Sequence, residues 1–525
     1  MGKEQQFVEI MDSTLRDGEQ TNGVSFLPHE KLVMAKMLLT DVGVDRVEVA
    51  SARVSAGEHD AVSLICRYAK RMDMLDRVEV LGFVDHHKSI DWIRECGGCV
   101  INLLAKGSLK HCTQQLKKEP EQHFEDIRNE VAYAHSVGMK VNLYLEDWSQ
   151  GMMYSPEYVF DMMDSLQDCG ISRFLLPDTL GILNPNNTKE YISQMVQRYP
   201  EANFDFHAHN DYDMATANSF MAVAAGATGI HVTINGLGER CGNPSLSSVQ
   251  VMLHDQMHLS THINEDALVF ASHQVEGYSG IAVAPNAPVV GENVFTQVAG
   301  VHADGDKKDK LYCNALLPER FGRHREYALG KNSGKANITQ NLSELGLELT
   351  PEQTRVVTQR ITQLGDRKEL VTPDDLPYIV SDVLKHSSPD DKVKLVSYMV
   401  STSYGLKPIA SLKVEINGQC YEADSTGDGQ YDAFVKALRR IYKEKLNRTF
   451  PLLDNYKVSI PPGGRTDALV QTIITWVKPD GKLFRTHGLD ADQTEAAIKA
   501  TIKMLNLIEM PEEEQVINIK KFNQL

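Results

Sequence analysis

The stretch NFDFHAHNDYD, residues 203–213, contains two histidines two positions apart. In an extended strand successive side chains alternate between the two faces, so Asp205, His207 and His209 share one face. Two imidazoles on one face can reach the same cation, because neutral histidine is the commonest metal ligand. A polar strand end without a ligand is the alternative, and the rest of the chain has to decide between the two.

Eight short β-rich runs alternate with helix-patterned segments up to about residue 245. The runs span residues 7–14, 45–51, 77–84, 99–106, 140–147, 172–179, 203–210 and 229–237. Glycines that suit a left-handed helix end stand before several of them, at Gly43, Gly97, Gly98, Gly138, Gly170 and Gly226. Eight such alternations predict a (β/α)8 TIM barrel, whose active site lies at the strand carboxyl ends. A doubly wound sheet is the alternative fold.

Polar clusters follow five of the predicted strands. Besides His207 and His209, they are TLRDGEQ (14–20), YLED (144–147), PDT (177–179) and NGLGERCGN (235–243). Every cluster lies at a carboxyl end, where a barrel would bring them together. This coincidence favours a metal site over a polar strand end.

The clusters contain the groups that a metal-assisted reaction at a ketone needs. Asp17, His207 and His209 would supply one carboxylate and two imidazoles to a divalent cation, Mn, Mg, Co or Zn. Asn243 could add an amide oxygen. Such a cation would polarise the ketone of a 2-oxo acid.

Three further side chains have candidate roles around that ketone. Arg16 has the donor fork to stabilise a developing alkoxide, although an ion pair with Asp17 or Glu19 is the alternative. Thr179 could donate to the substrate carboxylate, and Glu146 is a candidate general base. The two-histidine, one-carboxylate set also suits a non-haem iron oxygenase, against which the βα alternation argues.

Composition limits the class of protein. The 525 residues are too many for one core, so we expect two to four domains. The net charge of −17 argues against a general nucleic-acid binder. We find no signal peptide and no apolar stretch long enough to span a membrane, and the eight scattered cysteines indicate reduced thiols, so we expect a cytoplasmic protein.

Several motifs together resemble the DRE-TIM metallolyase superfamily. They are LRDGEQ (15–20), LPDTLG (176–181), HAHND (207–211), NGLGERCGN (235–243), AGVHADGDKKDK (299–310) and LPERFGRHREYALGKNSGK (317–335). Within it the chain is similar to the isopropylmalate, homocitrate and citramalate synthases, over essentially its whole length. An aldolase or lyase relative, or a catalytically silent amino-acid sensor, is the alternative.

The resemblance implies a condensation of acetyl-CoA with a 2-oxo acid, followed by hydrolysis of the thioester. It assigns the acetyl-CoA side to His302 from a partner subunit, with Asp304, Leu311 and Tyr312 nearby. Glu146 and His302 are both candidates for the base. His111 lies where relatives carry a site histidine after a Thr-Ser pair, although Gly107 replaces the threonine here.

The resemblance also places the pocket for the oxo-acid side chain at Leu81, Leu104 and Tyr144. Isopropylmalate synthases typically have a small serine at the last position, and homocitrate synthases would need a cation. A tyrosine and two leucines leave room for a methyl group, so the predicted substrate is pyruvate and the product (R)-citramalate. 2-Oxoisovalerate is the runner-up, and a tyrosine that only fills the barrel is the alternative interpretation of Tyr144.

The last third contains a repeated pattern. SLKVEINGQCYEA (411–423) and VQTIITWVKPDGKLFRTHG (470–488) both read as hairpins, and a helix pattern follows each. We therefore predict a duplicated strand–strand–helix unit in one α+β domain. The expected domains are a catalytic barrel (1–260), helical accessory subdomains (261–395) and a regulatory dimerisation domain (396–525).

This domain resembles the regulatory domain of the same synthases, which binds an amino acid at a dimer interface. The resemblance implies a homodimer and an effector, isoleucine if the substrate is pyruvate. The effector residues that it brings forward are Tyr431, Asp432, Tyr456 and Gln493. A dimerisation domain without an effector is the alternative.

Overall fold

A computed structural model describes most of the chain. It covers residues 7–298, 311, 313–344, 347, 349–366, 371, 376, 379–380, 392–459, 470–477, 483–490 and 492–509, with backbone alone at 344, 459 and 489. The described residues fall into two compact units, one within Met1–Thr296 and Cys313–Arg325 and the other within Gln297–Tyr312 and Glu326–Leu525.

The first unit is built on a closed barrel of eight parallel strands in sequential order. The strands are β1 (Glu9–Asp12), β2 (Arg46–Ser51), β3 (Val78–Phe83), β4 (Val100–Lys106), β5 (Lys140–Glu146), β6 (Arg173–Asp178), β7 (Phe204–Ala208) and β8 (Gly229–Val232). Strand β8 pairs with β1, which closes the sheet. The predicted TIM barrel is therefore confirmed, and the doubly wound alternative is wrong.

Helices surround the barrel and connect its strands. They are α1 (Pro28–Lys36), α2 (Ala56–Arg71), α3 (Lys88–Glu95), α4 (Pro120–Ser136), α5 (Trp148–Tyr154), α6 (Pro156–Leu166), α7 (Pro185–Arg198), α8 (Ala215–Ala224), α9 (Leu246–Val251) and α10 (Leu268–Ser279). Five helix ends use a glycine with positive φ, as predicted: Gly43, Gly97, Gly138, Gly170 and Gly226. Across the described ranges, no helix combines the length and the apolar character needed to cross a membrane. The cytoplasmic location stays a prediction.

The barrel interior is strongly polar towards the amino ends of its strands. Arg46, 8 % exposed, forms ion pairs with Glu9, Glu79 and Asp205. Asn102 connects this group to Glu48, because its amide donates to Glu79 at 2.9 Å and to Glu48 at 2.8 Å. A hydrogen-bonded network of buried charges thus fills space that apolar side chains occupy in many barrels.

The second unit contains two further packed regions. Helices α11 (Lys335–Glu344) and α12 (Pro351–Asp366) lie in the first, which has its own apolar core around Ile338, Val357 and Ile361. Two two-residue strands, β9 (Thr296–Gln297) and β10 (Glu326–Tyr327), pair with each other.

The second region repeats one motif twice. Strands β11 (Val393–Ser401), β12 (Ile409–Ile416) and β13 (Gln419–Thr426) precede helix α13 (Gln430–Arg440). Strands β14 (Leu452–Ser459), β15 (Val470–Val477) and β16 (Leu483–Asp490) precede helix α14 (Gln493–Glu509). Each sheet is antiparallel, and residues of both sheets and both helices share one core. The predicted duplication is confirmed, and the structure adds one strand before each predicted hairpin.

Candidate active site at the carboxyl ends of the barrel strands

The end of β7 and the turn after β1 bring three predicted metal ligands together. Nε2 of His207 lies 3.2 Å and Nε2 of His209 lies 3.7 Å from the same oxygen, Oδ2 of Asp17. All three side chains are buried. Ligand atoms bound about 2.1 Å from one ion are about 3.0–3.4 Å apart, so this group has nearly the spacing that a divalent cation requires.

The surrounding hydrogen bonds leave oxygen atoms available to such an ion. Neither carboxylate oxygen of Asp17 receives a well-directed hydrogen bond from the residues that the structure describes. Asn243 donates its amide hydrogen to the carbonyl oxygen of Leu237 at 3.0 Å, and its Oδ1 is buried without a described donor. A Cβ atom at Gly238 would lie 2.2 Å from the Asn243 amide nitrogen, so glycine at 238 allows this approach. The donor set therefore fits a divalent cation.

The charges of the group also favour cation binding. Burial alone would raise the pKa of Asp17, but the Arg16 guanidinium and the two imidazoles hold that pKa well below its usual range. Burial lowers the pKa of His209 to about 4. The carboxylate is thus ionised and the His209 imidazole neutral at neutral pH, which are the forms that bind metals.

Arg16 follows β1 and is held by partners on three sides. Its Nε donates to Oε2 of Glu48 at 2.6 Å, its Nη2 donates to the hydroxyl of Tyr144 at 3.3 Å, and its Nη1 lies 3.5 Å from Asp17. The guanidinium is 9 % exposed. The ion pair with Asp17, named from the sequence as the alternative role of Arg16, is present, whereas Glu19 pairs with Lys31 instead. Arg16 is thus a fixed cation beside the metal-ligand group.

Thr179 and Asp147 face each other where β5 and β6 end. The hydroxyl oxygen of Thr179 accepts a hydrogen bond from the backbone N–H of Asp147 at 2.9 Å, which leaves its own proton available to a substrate. The Asp147 carboxylate accepts from Ser108 at 2.7 Å and lies 3.5 Å from Nε2 of His111. The histidine that the resemblance brought forward is therefore coupled to this loop.

Glu146 ends β5 beside Lys106, the last residue of β4, and the two side chains form a close ion pair. The Glu146 side chain is 25 % exposed, so it is not sealed from solvent. Lys106 was not among the site residues predicted from the sequence.

The three predicted pocket residues share one apolar cluster. Leu81 and Tyr144 are buried, Leu104 is half-buried, and Leu175 of β6 lies against them. The rings of Tyr144 and His207 are nearly perpendicular, and their centroids lie 5.9 Å apart. The cluster therefore lies directly beside the candidate metal ligands.

The acetyl-CoA side is described only in part. His302, Asp304 and Tyr312 lie outside the described residues, and Leu311 has an exposed side chain. Their roles stay predictions.

The four predicted effector residues line one cleft of about 530 Å³ in the second unit. Tyr431 and Tyr456 have ring centroids 5.4 Å apart, and the Tyr431 hydroxyl lies 2.7 Å from the hydroxyl of Thr501. Asp432 pairs with Lys436 at 2.6 Å. Gln493, the first residue of α14, faces the same space.

Three family models match successive parts of the chain. The HMGL-like family matches residues 7–275. The chain belongs to the HMGL-like family. Residues 289–369 match the homocitrate synthase post-HMGL domain-like family, and residues 370–509 match the LeuA allosteric (dimerisation) domain.

Relatives of this HMGL-like protein carry two kinds of name. A Methanopyrus kandleri protein provisionally named (R)-citramalate synthase is 35 % identical, over 95 % of this chain and 96 % of its own. The (R)-citramalate synthase of Methanocaldococcus jannaschii is 32 % identical over 95 % and 99 %. The 2-isopropylmalate synthase of the same organism is 34 % identical over 95 % and 94 %. The predicted family is confirmed, and the chain is a condensing acyltransferase of it, whereas these identities do not separate the two activities.

The sequence reasoning missed the polar residues inside the barrel that hold the site. Glu48 and His231 contact Arg16 and Tyr144, and neither was a candidate. A signal was available, because Glu48 alternates with the apolar Val47 and Val49 in a strand buried on both faces. In such a strand a charged residue needs a partner inside the barrel.

Proposed function

We propose that this protein condenses acetyl-CoA with pyruvate and water to form (R)-citramalate and CoA. The observation that carries the proposal is the hydrogen bond between Tyr144 and Arg16, because it holds the tyrosine ring inside the oxo-acid pocket. A ring held there, beside Leu81 and Leu104, leaves space for a methyl group and little for an isopropyl group. The pocket is lined by apolar side chains, which disfavours an oxo acid with a distal carboxylate.

The active-site residues have separate tasks in this reaction. Asp17, His207, His209 and Asn243 would hold a divalent cation, which polarises the ketone when bound. Arg16 donates to the ketone oxygen as that oxygen becomes an alkoxide. Thr179 donates its hydroxyl proton to the carboxylate of the oxo acid, since its oxygen already accepts from Asp147.

A base must remove one proton from the acetyl methyl group so that the resulting enolate carbon can attack the ketone carbon. Glu146 and His302 of the partner subunit are the two candidates from the sequence. The position of Glu146 supports its candidacy, because it ends β5 at the face of the barrel where the candidate metal ligands lie, and its side chain is partly exposed. After the carbon–carbon bond forms, water cleaves the thioester and CoA leaves as the thiol.

The second unit supports a regulatory proposal, in which isoleucine binds the cleft around Tyr431 and Tyr456. An amino acid would place its ammonium group near Asp432, and its branched side chain against the two rings and Leu453. We propose a homodimer, which agrees with the match to an allosteric dimerisation domain.

2-Isopropylmalate synthase is the second candidate, because relatives with that name are as similar as those named for citramalate. The two candidate activities are distinguished by an assay that measures the release of CoA thiol from acetyl-CoA. Each reaction contains Mn²⁺ and one of three oxo acids: pyruvate, 2-oxoisovalerate or 2-oxoglutarate. We expect fast release with pyruvate alone, inhibited by isoleucine. A preference for 2-oxoisovalerate would refute the pocket argument and leave the metal site and the condensation intact.

A further inference from the structure

The hydroxyl group of Tyr144 is buried among three polar partners. Its oxygen lies 3.3 Å from Nη2 of Arg16, 3.2 Å from Nδ1 of His231 and 3.4 Å from Oε2 of Glu48. Arginine can only donate, so the hydroxyl oxygen accepts from Arg16. Its single proton therefore goes to His231 or to Glu48.

The Glu48 carboxylate is already well supplied with donors. Its Oε2 accepts from Nε of Arg16 at 2.6 Å and from the hydroxyl of Ser13 at 2.8 Å, and its Oε1 accepts from Asn102 at 2.8 Å. The remaining contact to Tyr144 is the longest of the four. Nδ1 of His231 lies closer to the tyrosine oxygen, at 3.2 Å, and is therefore the better acceptor for the tyrosine proton.

The far side of His231 determines which of its ring nitrogens can accept. Its Nε2 lies 3.2 Å from Oδ2 of Asp205, a carboxylate that also pairs with Arg46 and Arg173. A carboxylate held between two guanidinium groups accepts hydrogen bonds and donates none. Nε2 must then carry the hydrogen. With the hydrogen on Nε2, the Nδ1 atom of the ring has a free lone pair and can accept from Tyr144.

We propose that His231 is a positioning residue for the condensation, because its Nδ1 accepts the Tyr144 proton and thereby turns the hydroxyl lone pairs towards Arg16. The chain of hydrogen bonds runs from Arg16 through Tyr144 and His231 to Asp205. It holds both the guanidinium and the ring that bounds the oxo-acid pocket. The proposal rests on the assignment of that pocket in the proposed function.

Two substitutions at His231 separate the two ring nitrogens. The asparagine side chain reaches about as far as Nδ1, so His231→Asn keeps an acceptor for Tyr144 and loses the contact to Asp205. The glutamine side chain reaches about as far as Nε2, so His231→Gln keeps the contact to Asp205 and loses the acceptor. The two variants form a matched pair that differ in one methylene group.

The measured quantity is the ratio of kcat/KM for pyruvate to kcat/KM for 2-oxobutyrate, from CoA thiol release. We expect His231→Gln to lower this ratio about five- to tenfold, the value of one hydrogen bond, and His231→Asn to keep it within about twofold. Equal losses in both variants, or no loss in His231→Gln, would overturn the proposal. If His231→Gln does not fold, a loss of the preference for pyruvate over 2-oxobutyrate in folded His231→Asn would by itself overturn the proposal.

A second comparison tests whether His231 acts through the tyrosine hydroxyl. In a Tyr144→Phe background there is no hydroxyl proton to accept, so His231→Gln should change the ratio by less than about twofold. An undiminished effect in that background would refute the proposal. If the unaltered enzyme prefers 2-oxoisovalerate, the proposed substrate is wrong, and the same variants are then compared with 2-oxoisovalerate over 2-oxobutyrate.

Discussion

Replacement of Arg16 by lysine tests the site most directly. The arginine fork contacts Glu48 at 2.6 Å, Tyr144 at 3.3 Å and Asp17 at 3.5 Å through three different nitrogens. A lysine has one ammonium group and cannot keep all three contacts while it donates to a ketone oxygen. Held by Glu48, the nearest and fully buried anion, the ammonium would point away from the substrate.

The expected loss follows from the proposed role of Arg16 at the developing alkoxide. Removal of one donor to an oxyanion costs about 2.7–4 kcal/mol of transition-state stabilisation. We therefore expect kcat/KM of Arg16→Lys to fall by about 10²–10³ in the CoA-release assay at saturating Mn²⁺. The positive charge beside Glu48 and Asp17 is kept, so thermal unfolding should change little in comparison.

Arg77→Lys is a matched control for that measurement. Arg77 is half-buried at the opposite end of the barrel, where it donates to the backbone oxygens of Asp45 and Val44. Its activity should stay within about twofold of the unaltered enzyme. Arg16→Lys with more than about a tenth of the original kcat/KM and unchanged Mn²⁺ binding would refute the assigned role.

Mn²⁺ at 100 times its Kd should stabilise the unaltered protein by about 2.7 kcal/mol, as measured by scanning calorimetry. Asp17→Asn removes the one anionic ligand, so this stabilisation should fall by more than about half. An equal gain in both proteins would contradict the metal site. Leu104→Ala opens the oxo-acid pocket and should raise kcat/KM for 2-oxoisovalerate over pyruvate about tenfold or more. The control is Leu175→Ala, at a fully buried position of the same cluster, which should cost about 2–5 kcal/mol of stability and keep the substrate order. Burial lowers the pKa of His123 to about 4, and its Nε2 accepts from the backbone N–H of Lys106. Because the unfolded chain binds this proton near pH 6.5, stability falls as the pH falls from 6.5 to 4, by up to about 3 kcal/mol. Urea unfolding of His123→Gln should show a flatter loss over that range, and an unchanged slope would count against this assignment. Tyr456→Ala removes one ring of the effector cleft and should raise the isoleucine concentration for half-inhibition about tenfold or more above that of the unaltered enzyme. Each activity is measured relative to that of the same protein without isoleucine.

The barrel and its main candidate ligands could be predicted because their signals are local. The β-rich runs and the glycines at five helix ends depend on neighbours in the chain, and all eight strands lie within the predicted runs. A parallel barrel brings every strand carboxyl end to one face. Asp17, His207 and His209 therefore had to come close together once the strands were recognised.

Two strands of the second unit were missed for a local reason. Both β11 and β14 contain a register shift, between Leu395 and Ser397 and between Leu453 and Asn455. A β-bulge adds a residue to one strand and breaks the alternation on which the prediction depends. The hairpins without such shifts, β12 with β13 and β15 with β16, were predicted correctly.

Periodicity and motifs of a few residues were enough to predict the fold and the family, and to propose Asp17, His207 and His209 as metal ligands. The contacts that hold the site in place could be found only in the folded chain. Tyr144 lies 128 positions from Arg16 and 87 from His231, and barrel closure brings the three together. No local pattern encodes such pairings, because each depends on the facing strands and on which buried polar group still needs a partner.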